Sequence, residues 1–289
     1  MKPDTLIGVI GCGTMGHGIA HVAARSGYRV VLVDLDERLL TGAVETVGAE
    51  MQRAVEKGKM TAGDREDSMG RIRTSTDVAA LSEATFAIEA VVERVDVKRD
   101  LFARLDRACP RETILATNTS SISITRIAAA TGRPGNVIGM HFMNPVPVME
   151  LVEVIRGHLT SDATIEATNA LAVALGKKPI EAQDYPGFIS NRVLMPMINE
   201  AITALMEGVA TRDAIDGIMK LGMRHPMGPL ELADFIGLDV CLNIMEVLHD
   251  GFRDPRYRPC PLLRRMVDAG LLGRKSGRGF YDHSSAPGR

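Results

Sequence analysis

No tryptophan occurs in this 289-residue chain and aromatic residues make up only 4% of it, so its core must be built from Val, Ile, Leu, Ala and Met. Cysteine is scarce too. Cys12, Cys109, Cys241 and Cys260 are widely scattered, with no Cys-x-x-Cys pair and no histidine cluster beside them. That argues against a disulfide framework or a zinc site and fits a reducing cytosol. Neither sign of charge dominates: the formal net charge is -2, so nothing global points to nucleic-acid or membrane binding, and any basic site must be local. No apolar run approaches the length of a membrane span. The opening residues, MKPDTLIGVIGCGTMGHG, run straight into a strand pattern without the charged and then apolar regions of a secretory signal, which makes a cytoplasmic location the expectation. With 45% hydrophobic and 24% charged residues, the composition is that of a folded globular protein, long enough for one large domain or two ordinary ones.

The order of elements is informative. TLIGVIG reads as a short buried strand, MGHGIAHVAARSG as a helix with a glycine stop, and YRVVLVD as a second strand ending on Asp34. This βαβ unit implies a parallel sheet. ERLLTGAVETVGAEMQRAVEKGKM and AGDREDSMGRIRTS read as two long polar helices. Strand-like FAIEAVVE, TILATNTSS, NVIGMHF, MELVEVIRG and KPIEAQ then alternate with helical KRDLFARLDRAC and SDATIEATNALAVALGK. After DYPG the alternation stops: FISNRVLMPMINEAITALMEGVA, RDAIDGIMKLG, PLELADFIGLDVCLNIMEVLHDGF and PLLRRMVDAGLLG all read as helices. The expectation is an α/β domain over residues 1–185 and an all-α domain over 186–289. Only the tail HSSAPGR has the composition of a disordered end.

GCGTMG places Gly11, Gly13 and Gly16 in G-x-G-x-x-G spacing, between a strand and a helix. The first glycine permits the tight turn, the second lets a pyrophosphate approach the backbone, and the third lets helix pack on strand. Thr14 and Met15 then belong to the helix N-terminus, whose amides suit phosphates. The motif alone is weak, but Asp34 ends the next strand 18 residues on, about the ~20-residue offset of a carboxylate that holds the adenosine ribose. Asp34 would repel a 2′-phosphate, so NAD is expected over NADP, although Arg38 lies nearby.

The apolar stretch VIGMHFMNPVPVMELVEVI carries His141, Glu150 and Glu153. Ionisable groups in buried strands are costly unless paired. A lone strand histidine is as readily a satisfied core group as a base. Glu153, however, lies in a second apolar segment joined to the first by NPVPVM, so the two can face each other, and a carboxylate beside an imidazole orients the ring and favours its protonated form. Such a pair suits a group that takes a proton from an alcohol as hydride leaves. Glu150 falls on the opposite face and reads as a solvated charge. In ATNTSSISI, residues Asn118, Thr119, Ser120 and Ser121 sit at a strand end, where open parallel sheets bind ligands, although a plain helix cap explains such a run as well. Asn191, in GFISNR at the start of the helical part, reads equally as a site residue or a packing amide.

Taken together, GVIGCGTMGHGIA, EAVVERVDVKRDLFARLD, TILATNTSSISIT, VIGMHFMNPVPVMELVEVI, DYPGFISNRVLMPMINEA, LGMRHPMGPLELADFIGLD and GRKSGRGFYDH make the chain resemble the L-3-hydroxyacyl-CoA dehydrogenase family, over residues 4 to 282 and most like its bacterial short-chain members. The resemblance implies a Rossmann-like, mostly parallel sheet with an inserted helical hairpin, followed by an all-α C-terminal domain for the substrate cleft and dimerisation. It implies NAD as cofactor, an acyl-CoA substrate and a homodimer. By the same matching His141 is the acid/base, Glu153 its partner, Ser120 a contact of the substrate 3-oxygen and Asn191 a support of the thioester. Glu93, Lys98, Asn118, Asn144 and Lys275 match cofactor positions, and Arg53, Lys57 and Lys59 lie on the helical insertion that meets the CoA phosphates; a solvated charged helix is the blander account of those three. Two other readings stand beside it: a relative acting on a free hydroxy acid or sugar acid, which has no use for basic helices, and a non-catalytic dinucleotide-binding protein, which has no use for His141, Glu153, Ser120 and Asn191 together.

Overall fold

The structure is a computed structural model that describes residues 5–284, so the last five residues of the tail expected to be disordered lie outside the described residues. The chain forms two compact units, Met1–Tyr185 and Pro186–Arg289.

In the first unit, β1 (Leu6–Ile10), α1 (Thr14–Arg25) and β2 (Arg29–Val33) make the opening βαβ turn. A helical hairpin follows, α2 (Glu37–Glu56) and α3 (Ala62–Gly70), the second opened by a capping box between Thr61 and Asp64. Then come β3 (Ile72–Ser75), β4 (Phe86–Glu89), α4 (Val95–Ala108), β5 (Ile114–Thr117), α5 (Ile124–Ala128), β6 (Val137–Phe142), β7 (Leu151–Arg156), α6 (Asp162–Ala174) and β8 (Lys178–Gln183). The eight strands form one sheet in the order β3-β2-β1-β4-β5-β6-β7-β8. All neighbours are parallel except β6 and β7, which pair antiparallel. Central strands are covered on both faces by helices and so read as unbroken apolar runs; β1 (LIGVI), β5 (ILAT) and β6 (VIGMHF) are buried at every position. Chain order reverses at β1, which has β2 on one side and β4 on the other, so a crevice is expected beyond their carboxyl ends.

The expected helix AGDREDSMGRIRTS is only partly helical. Its last four residues, Ile72–Ser75, form the edge strand β3, paired in parallel with β2 from Val30↔Ile72 to Val33↔Ser75. An edge strand needs a pairing partner more than an apolar face, and Ile72 and Thr74 are β-branched.

The second unit holds α7 (Ser190–Met206), α8 (Arg212–Met223), α9 (Pro229–Ile236), α10 (Leu238–Phe252) and α11 (Pro261–Asp268). Met195, Ile198, Ile202, Leu230, Leu238, Met245, Leu248 and Leu263 are among its core residues. The single helix expected over PLELADFIGLDVCLNIMEVLHDGF is two, because Gly237 adopts φ +104 between α9 and α10. The apolar pattern runs through the break and hides it. Two buried aspartates fasten the ends of this unit. Asp216 accepts the amides of Leu230 and Glu231 at the start of α9 and the Tyr281 hydroxyl, and Asp234 accepts the amides of Phe280 and Tyr281. Among the described residues no helix is long and apolar enough to cross a membrane.

Candidate functional site

A cavity of about 770 Å³ opens at the carboxyl ends of β1, β2 and β4, lined by Gly11, Cys12, Gly13, Asp34, Leu35 and Val92 among others. The three glycines serve three different purposes. Gly11 has φ +96, and a Cβ there would lie 2.5 Å from the Ala90 carbonyl oxygen. A Cβ on Gly16 would collide with the Gly11 carbonyl. At Gly13 a Cβ would meet no protein atom within 4 Å, so nothing in the fold demands glycine there. The open space lies at the N-cap of α1, where no side chain caps the first amides and a phosphate could approach them. Thr14 and Met15 open that helix. Asp34 is anchored by the Cys12 amide on Oδ2 (2.7 Å) and the Leu35 amide on Oδ1 (2.7 Å). Burial, with help from Asp34, pushes the Cys12 thiol up to about 12, so it stays protonated. The residues present therefore fit a dinucleotide: the uncapped amides at the start of α1 could receive phosphates, and Asp34 could accept ribose hydroxyls.

His141 and Glu153 are directly opposed residues of the antiparallel β6–β7 pair. The imidazole Nδ1 lies 2.7 Å from Glu153 Oε2; the residues are 9% and 4% exposed. Glu150 is exposed and pairs with Lys178.

The 118–121 run is not a helix cap. The N-cap of α5 is Ser123, which accepts the Arg126 amide, and Asp184 backs it by accepting the Ser123 hydroxyl and the amides of Ile124 and Thr125. Asn118 instead spans two strand ends: its amide donates to Glu89 O (2.8 Å), and its Oδ1 accepts the Phe142 amide (2.8 Å), next to His141. Glu93 holds the turn that follows. Its Oε1 accepts the Thr119 hydroxyl and the amides of Ser120 (3.0 Å) and Ser121 (3.2 Å), and its Oε2 lies 3.2 Å from the Lys98 ammonium. Burial alone would raise the Glu93 carboxyl, but Lys98 and the bonds from Thr119 and Ser120 outweigh it and hold it below the ordinary carboxylate range. Lys98 is itself buried, with Glu89 Oε1 at 2.5 Å as its second partner.

Glu89 was not singled out in the sequence. FAIE reads as one strand, and nothing local distinguishes a wholly enclosed carboxylate from one at a strand's wet end. Lys177 escaped notice as well: its ammonium, buried, donates to the carbonyls of Val146 and Met149 (2.8 Å for the second), fastening the connection between β6 and β7. Asn144 lies in that connection, exposed. On the hairpin, Arg53 is in the last turn of α2, Lys57 is its C-cap and both are exposed. Lys59 lines a separate pocket of about 410 Å³ with Arg25, Met60, Asp64, Ser68 and Arg71. In the helical unit, Asn191 occupies the first turn of α7, buried, with its amide on Gly187 O, and Lys275 is paired with Asp239.

Residues 6–185 match the family described as 3-hydroxyacyl-CoA dehydrogenase, NAD binding domain, and residues 187–283 match 3-hydroxyacyl-CoA dehydrogenase, C-terminal domain. The chain is 57% identical over 276 residues to a probable 3-hydroxybutyryl-CoA dehydrogenase of Deinococcus radiodurans, covering 96% of this chain and 99% of that one. It is 53% identical over 280 residues to a 3-hydroxybutyryl-CoA dehydrogenase of Bradyrhizobium diazoefficiens, with 97% and 96% covered. The crystal structure of (S)-3-hydroxybutyryl-CoA dehydrogenase from Ralstonia eutropha matches it at a TM-score of 0.96 and 49% identity, covering 98% of this chain and 100% of that one. These matches agree with the motif resemblance, with the fold and with NAD as the dinucleotide.

Proposed function

The chain belongs to the 3-hydroxyacyl-CoA dehydrogenase family, and from that premise we propose that it is an NAD-dependent enzyme interconverting (S)-3-hydroxyacyl-CoA and 3-oxoacyl-CoA, with 3-hydroxybutyryl-CoA and acetoacetyl-CoA as its substrate pair. The observation that carries the reading is the His141–Glu153 pair, 2.7 Å apart on adjacent strands and nearly enclosed. With Nδ1 engaged by the carboxylate, Nε2 is the proton-transferring atom. It accepts the hydroxyl proton in oxidation and returns a proton to the developing alkoxide in reduction, while Glu153 fixes the orientation of the ring. The nicotinamide, when bound, supplies the hydride chemistry at C3. Ser120 contacts the substrate 3-oxygen and Asn191 supports the thioester. Glu93, Lys98, Asn118, Asn144 and Lys275 flank the cofactor, and Arg53, Lys57 and Lys59 offer positive charge to the CoA phosphates. The enzyme works in the cytoplasm as a homodimer formed through its helical unit.

The test follows NADH absorbance with purified protein and acetoacetyl-CoA, free acetoacetate or a long-chain 3-oxoacyl-CoA, then repeats with NADPH. Rapid oxidation of NADH with acetoacetyl-CoA, and little with the others or with NADPH, is the expected result. Turnover of the free acid would move the substrate to a hydroxy acid without CoA. NADH binding with no turnover of any of them would leave a dinucleotide-binding protein and remove the enzyme reading.

A further inference from the structure

Glu89 has no part in the reaction as written, yet none of its surface meets solvent. A buried carboxylate is costly unless its oxygens are occupied, and a buried ion pair is often replaced by apolar side chains without loss of stability. The rest of β4 is Phe86, Ala87 and Ile88, all buried, so an apolar residue at this place would suit the sheet. What distinguishes Glu89 is where its bonds lead. Oε1 accepts from Lys98 Nζ (2.5 Å) and the Val91 amide (2.7 Å), and Oε2 accepts from the Thr117 hydroxyl (2.6 Å). Thr117 Oγ1 in turn accepts the Thr119 amide (3.2 Å). Lys98 passes to Glu93, whose other oxygen holds Thr119, Ser120 and Ser121. Both routes out of Glu89 converge on Thr119, the first of those three residues, one through a hydroxyl and one through a shared ammonium.

We infer that Glu89 is a positioning residue: an enclosed anion that, through Thr117 and through Lys98 and Glu93, sets the backbone at Thr119–Ser121 and so the placement of Ser120. The role rests on the reading of Ser120 as a substrate contact. Lys98 divides its charge between two carboxylates. When Glu89 loses its charge, Lys98 is left to Glu93 alone and draws that side chain away from the turn, while the Thr117 route loses its acceptor strength.

The experiment compares wild type, Glu89→Gln, Glu93→Gln and the double variant in a cycle. Hydrogen–deuterium exchange over residues 118–123 of the cofactor-free protein is one readout, and kcat and KM with acetoacetyl-CoA are the other. In Glu89→Gln, exchange is expected to rise at 118–123 and to stay unchanged in the remainder of β4 and β5, with kcat down by about 10²-fold and KM nearly constant, the scale at which a small displacement costs turnover. The double variant is expected to be no worse than the poorer single one, because both act on one turn. Faster exchange throughout β4 and β5 with kcat intact would reduce Glu89 to a packing role, and multiplied losses in the double variant would separate it from Glu93. If Glu89→Gln fails to fold, Thr117→Val cuts the same link from the other side and takes its place in the cycle. If wild type does not turn over acetoacetyl-CoA, the proposed function falls, and the exchange pattern alone decides whether Glu89 sets the turn.

Discussion

At the scale of single residues, an imidazole enclosed at a strand end has two nitrogens to satisfy, and a carboxylate on one of them determines what the other can do. Glu153→Gln keeps the shape and loses the carboxylate that orients the ring. We expect kcat to fall about 10²-fold with KM little changed, and His141→Gln to fall further, within the ~10²–10⁴-fold range of general acid–base catalysis; steady-state kinetics on both variants would check this. Unchanged turnover in Glu153→Gln would remove the pair from the mechanism. Glu93 makes a prediction about acid. Its carboxyl is held below its ordinary value in the folded protein, so the unfolded chain takes up a proton first as pH falls. Its contribution is therefore whole above the ordinary Glu value of ~4.3 and is lost as pH drops through the depressed one. In thermal melts of wild type against Glu93→Gln, the wild-type advantage should be constant near neutrality and shrink below that value. An advantage that grows in acid would contradict the assignment.

At the scale of elements, the β1–α1 turn separates glycines that the fold requires from one, Gly13, that faces open space and is proposed to serve the dinucleotide. Gly13→Ala meets no protein atom, whereas Gly16→Ala runs into the Gly11 carbonyl. Gly13→Ala should therefore melt like wild type without cofactor and bind NADH at least about tenfold more weakly, as one lost close approach of ~1.4 kcal/mol implies. Gly16→Ala should lose stability before affinity is at issue. Calorimetry and NADH fluorescence separate the two. The motif spacing and the strand on either side of it made this turn legible without coordinates. The facing of His141 and Glu153 was legible too, from two apolar segments joined by a short connection. Less visible were features decided by neighbours distant in sequence. The Ile72–Ser75 strand exists because β2 offers it an edge, and Gly237 breaks a helix inside an unbroken apolar pattern. Glu89 became recognisable only once Lys98 and Thr117, from two other elements, were seen to close round it.

At the scale of the whole molecule, the second unit leaves several large apolar side chains outside its core. On α8, Ile218 is 61% exposed and Leu221 88% exposed, one helical turn apart, and Val209 lies open just before that helix. Adjacent apolar side chains of this size on one face suit a self-complementary two-fold contact. Wild type is expected to sediment as a dimer, and Ile218→Lys with Leu221→Lys to shift it to monomer without unfolding it. A double variant that remains dimeric would move the contact to another face. Which faces of these helices stay uncovered depends on how five helices divide one core, and the sequence pattern of α8 alone does not mark it.

The pair proposed as the acid/base, His141 and Glu153, lies on one hairpin, twelve positions apart, whereas Gly11, Asp34, Glu93 and Ser120, proposed for the rest of the site, come from four separate strand ends. The two halves of the site are thus inherited differently. A short exchange of segment or a small deletion between β6 and β7 removes or replaces the acid–base chemistry at a stroke and leaves the dinucleotide cradle whole. The proposed cradle is spread over more of the chain, so a change at the β1–α1 turn weakens it but no one segment holds all of it. Descendants of this architecture are free to keep their redox partner while altering what they do with it.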